Sequence, residues 1–138
     1  MKSLLFALAV IFCFTATYAA NTPPAIPSSI EGYTGYSLAQ VKKNSIVLNT
    51  FIAQTSNFII KAINEKKITP SSYSVFLRYA FRATTSTGYQ MIYYVRTYDP
   101  KNPNGKIYYG RFTVTTSATG GSRKFISYSI DKSFKRNP

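Results

Sequence analysis

The chain has 138 residues, slightly under the roughly 150 that one domain commonly takes, so a single compact domain is expected. Lys and Arg number 17 against 4 Asp and Glu, a formal charge of +13, yet 45% of residues are hydrophobic and 16% aromatic, which excludes a disordered basic tail and predicts a folded cationic domain. Histidine is absent and the acids Glu31, Glu65, Asp99 and Asp131 are scattered. Ser-His-Asp and Cys-His catalysis and His-ligated metal sites are therefore excluded, and a protein that is no enzyme and needs neither cofactor nor metal is expected.

In chain order, Lys2, the apolar run Leu4 to Phe14 and the small residues Thr17 and Ala19 around Tyr18 read as a signal segment cut after Ala19, which makes the protein secreted. The run is shorter than the roughly 20 residues that span a bilayer, and no later segment is expected to span one. Cleavage removes Cys13, so the mature chain has no disulfide and must be held by its core. Residues 20–31, with Pro23, Pro24, Pro27, Ser28 and Ser29, read as an extended arm, because proline withholds a donor and fixes its backbone angle. Gly32 and Gly35 punctuate the start of the folded part, 32–132, and a short strand fits within Tyr33 to Leu38.

From about Ala39 to Lys66 the spacing becomes helical, with Leu48, Phe51, Ile52, Thr55, Ile59, Ala62 and Ile63 on one stripe. Ser37 and Gln40 fit a capping box, and a later start at Asn44 or Ser45 is equally open. Thr69-Pro70 ends the helix, and everything beyond reads as strand. Tyr73, Val75, Leu77, Tyr79, Phe81 and Ala83 alternate with Ser72, Ser74, Phe76, Arg78, Ala80, Arg82 and Thr84, the pattern of a strand with one buried face. Residues 89–98 form the next strand, 99–105 a loop, and 106–116 a third strand with Tyr108, Phe112 and Val114 on one face. The last strand, 123–132, turns Ile126, Tyr128 and Ile130 together, and 133–138 form a basic tail. A long helix followed by strands joined by hairpin-length loops predicts an α+β fold, the helix covering a four- to five-stranded antiparallel sheet.

Three local features carry a resemblance to a known family: Ile30-Glu-Gly-Tyr33 as a trunk with glycine before an aromatic, Phe51-Ile-Ala53 within the helix, and the spacing of helix, a strand pair whose loop ends in Gly88, and a final hairpin. On these the chain resembles the cystatins, inhibitors of papain-like cysteine proteases, over Ile30 to about Ile130. The resemblance implies a reversible inhibitor that occludes the protease cleft with the trunk at Gly32 and Tyr33, a first loop at Thr85, Ser86, Thr87 and Gly88, and a second at Thr119, Gly120 and Gly121. The sequence departs from the family where its Gln-x-Val-x-Gly loop is Thr84-Thr-Ser-Thr-Gly88 and where its Pro-Trp loop is Thr119-Gly-Gly121. A monomer is expected.

The charge points to a rival reading. A strongly basic domain attracts anionic polymers or surfaces, and Arg78, Arg82 and Arg96, interleaved with Phe76 and Tyr94, are the candidate residues. A receptor-binding module that keeps the scaffold without the inhibitory loops is a third possibility.

Overall fold

The computed structural model describes residues 22–102 and 104–135. The expected signal segment 1–19 and the cut after Ala19 lie outside the described residues, as does the end of the expected tail. The elements are β1 (Thr34–Tyr36), α1 (Leu38–Lys42), α2 (Ser45–Asn64), β2 (Ser74–Thr84), β3 (Gly88–Tyr98), β4 (Lys106–Ser117) and β5 (Arg123–Lys135). All five strands join one antiparallel sheet in sequence order, and α2 lies across one face, so the α+β expectation holds.

Both candidate helix starts are used. The Ser37 hydroxyl accepts from the Gln40 N–H while the Gln40 side chain accepts from the Ser37 N–H, which starts the five-residue α1. Asn44 then caps α2 by accepting from the Val47 N–H at 3.2 Å. The single helix from Ala39 is thus corrected to two. Lys66 ends the turn in the left-handed region at φ 58, and the N–H groups of Lys67 and Ile68 close back on the Ala62 carbonyl.

Helix α2 buries Val47, Thr50, Gln54, Phe58 and Ala62. The expected stripe is rotated, with Phe51, Ile59 and Ile63 on its margin and Ile52 61% exposed. Val47, Phe51, Gln54, Phe58 and Ala62 recur at three and four residues just as regularly, so periodicity alone allowed either face. By length and composition alone α2 is also apolar enough to cross a membrane. In the fold its apolar face packs on the sheet.

Phe112 centres the core, its ring 5.3 Å from Phe58, 5.2 Å from Tyr93 and 5.8 Å from Phe125. Tyr93 is fully buried, and its hydroxyl donates to the Val47 carbonyl at 2.6 Å, joining helix to sheet.

Two expected strand faces are corrected by bulges. The β2–β3 register shifts between Leu77 and Tyr79, so Val75 and Leu77 face the helix, as does Ala80, while Tyr79 and Phe81 turn to the other side and meet Tyr94. On β5 a shift opposite Thr113 and Val114 puts Phe125, Tyr128 and Ile130 on the core and leaves Ile126 46% exposed. Strand β5 also continues to Lys135, so Ser133, Phe134 and Lys135 pair with β4 and do not belong to a tail.

Candidate functional site

The antiparallel order brings the trunk, the β2–β3 loop and the β4–β5 loop to one end of the sheet. Thr34 pairs with Arg82 near the tip of β2, and Gly88 pairs with Ser117 at the tip of β4. Gly32 sits in the left-handed region at φ 82, in a turn closed by the Tyr33 N–H on the Ile30 carbonyl, and open space surrounds it. The Tyr33 hydroxyl donates to Gln90 Oε1 at 2.6 Å, which fixes the trunk to β3.

In the first loop the Thr85 N–H donates to the Gly88 carbonyl, and the Gly88 N–H donates back to Thr85 Oγ1. Thr85, Ser86 and Thr87 are exposed, whereas Gly88 is buried. A Cβ at Gly88 would collide with the Thr116 carbonyl and lie 2.7 Å from the Ser117 carbonyl carbon. Glycine here lets the two hairpins touch through their backbones.

The second loop is closed by the Ser117 N–H on the Ser122 carbonyl and by the Ser122 N–H on Ser117 Oγ. Thr119 and Gly121 are exposed, and the Thr119 hydroxyl lies 3.2 Å from that of Ser117. Gly120 is buried at φ 77, its would-be Cβ 3.6 Å from Ile46, so the loop rests on the first turn of α2. Thr87, Thr115, Thr116, Ser117, Ser122 and Lys124 line a shallow cavity of about 160 Å³ between the loops. Ser117, Ser122 and Lys124 escaped the sequence reading, because only strand register shows that they stand beside Thr87. The tip is rich in hydroxyls and carries no exposed aromatic anchor, and among the described residues no cluster of metal-ligating side chains occurs.

The basic candidates do not form one group. The β2 bulge leaves Arg78 and Arg96 on the face away from α2, where burial pulls the Arg78 guanidinium below its ordinary value and Arg96 adds to that shift. Arg82 stands on the helix side, 5.2 Å from the Tyr36 ring and 4.7 Å from that of Tyr89. Arg111, and Lys132 from the basic C-terminal stretch, join Arg78 and Arg96 instead.

Compared with protein-family models, with curated proteins and with solved structures, the chain finds no match.

Proposed function

We propose that this protein is a reversible inhibitor of papain-type cysteine proteases that occludes the cleft with the trunk and the two hairpin loops. The observation that carries this reading is that Gly32 to Thr34, Thr85 to Thr87 and Ala118 to Gly121 come to one end of the sheet, with the loops in backbone contact at Gly88. A row of short polar side chains on braced backbone suits entry into a narrow cleft, where rigidity limits the entropy lost on binding. Thr85, Ser86, Thr87 and Thr119 would contact the cleft walls, and Gly121 would allow close approach. With Gly-Gly in place of a large aromatic, the affinity is modest for the class. Cleft occlusion forms no covalent bond and uses no cofactor.

The test is inhibition of papain by the native chain and by Ser86→Arg, whose side chain lies on the exposed tip and leaves the Gly88 contact intact. Saturable inhibition weakened at least about ten-fold by the variant is expected from losing roughly 1.4 kcal/mol of tip complementarity. Equal inhibition by both chains, or none, overturns the proposal.

A further inference from the structure

The sheet face turned away from α2 alternates rings and cations. Strand register aligns Phe76, Arg96, Tyr109 and Lys132 in one row across β2, β3, β4 and β5. In the next row Tyr94 stands beside Arg111, and Arg78 projects at the bulge between them. With strands about 4.8 Å apart, Arg96 and Lys132 stand roughly 10 Å from each other, with Arg111 offset between them.

Most of these cations are seated on rings. Arg78 lies 4.9 Å from the Tyr109 centroid, Arg96 lies 5.3 Å from Phe76 and 5.5 Å from Tyr98, and Lys132 lies 6.0 Å from Phe134. A guanidinium held this way has little freedom left to lose, and its in-plane N–H fork matches two oxygens of a carboxylate or sulfate. The acid within the cluster, Asp131, lies 3.4 Å from Arg111, and the cluster as a whole stays positive.

We propose that this face binds an anionic polysaccharide, whose sulfate or carboxylate groups seat on Arg96, Arg111 and Lys132, with Arg78, whose Nη2 already donates to the Pro24 carbonyl at 2.8 Å, adding its charge. Charge complementarity selects an anionic occupant, and the rings select which one. A single-stranded nucleic acid needs open ring faces on which bases stack. Here Tyr109 and Tyr94 are only 7% and 8% exposed, and Phe76 and Tyr98 stack on each other at 5.1 Å with planes 13° apart. A membrane surface needs a cluster of protruding apolar side chains, and within these two rows the exposed large one is Phe76, 38% accessible and stacked on Tyr98. Arg96 lies eight positions along β3 from Gly88, roughly 27 Å at 3.4 Å per residue, so this surface is separate from the loop tips.

Calorimetric titration of the full chain with dextran sulfate, polygalacturonate, neutral dextran, a single-stranded oligothymidylate and phosphatidylserine vesicles tests it. Expected are binding to the two anionic polysaccharides that falls steeply with salt, and none to neutral dextran. The combined R96Q, R111Q and K132Q variant should weaken that binding at least about ten-fold. The combined K42Q, K43Q and K66Q variant removes the same charge elsewhere and should weaken it less than about three-fold. Arg96→Gln alone, with an unchanged melting temperature, separates a binding loss from misfolding. Equal losses in the two charge variants, tighter binding of the oligonucleotide or vesicles, or no polysaccharide binding would overturn the proposal. Each of those results leaves cleft occlusion, read from protease inhibition, untouched.

Discussion

Gly88 and Gly121 show how one residue type serves two ends. At Gly88 a methyl group would be driven into the Thr116 carbonyl, whereas at Gly121 it would meet only the Thr119 hydroxyl at 3.6 Å. Gly88→Ala should therefore destabilise the fold by about 1–3 kcal/mol through overpacking, while Gly121→Ala should shift stability by less than about 0.5 kcal/mol. Urea denaturation of the two variants measures both. The tyrosines carry a second residue-level signature. Burial pushes the Tyr73 phenol up to about 12, with Tyr108 adding to it, and burial together with the hydrogen bond to Glu65 pushes Tyr128 up to about 12. Burial raises Tyr93 further still. A raised phenol pKa favours the neutral ring in the fold, so its stabilisation is whole below the unfolded value of about 10 and is lost as pH rises through about 12. Spectrophotometric titration should show a late-ionising set of tyrosines, with unfolding monitored by circular dichroism setting in over the same window.

At the scale of elements, α2 depends on its own cap. Asn44→Ala should cost about 1 kcal/mol in urea unfolding, because it strips an acceptor from the Val47 N–H at the junction with α1. That junction also shows what the sequence made legible. Ser37 with Gln40 and Asn44 with Val47 are local signals, and both stand in the structure; what the chain could not reveal was that α1 stops after one turn so that both are used. The strands were legible as strands, because alternation survives in Lys106 to Ser117, where Tyr108, Phe112 and Val114 share the core face. The bulges were not, since one added residue reverses every later side chain and leaves the sequence pattern of rings and polar residues intact. This is why Arg82 was grouped with Arg78 and Arg96 although it stands on the opposite face. It is also why the sequence pattern does not set Arg111 and Lys132 beside Arg96, a placement that only cross-strand register gives.

For the whole molecule, sequential antiparallel order has one geometric consequence: the trunk and alternate hairpin turns converge at one end, while the basic residues lie on the sheet face away from α2, where Arg78 holds the Pro24 carbonyl. The loop positions were readable from turn residues such as Gly88 and Gly120, but their contact through backbone at Gly88 was not, because it joins strands whose pairing is set by the complete sheet. The most direct measurement of the central claim is amide hydrogen exchange on the chain alone and saturated with active-site-blocked papain. Cleft occlusion predicts new protection at residues 32–34, 85–87 and 118–121, with Arg96 to Tyr98 and Lys132 to Phe134 unchanged. Protection confined to the basic face, or none at the three tip segments, would contradict it.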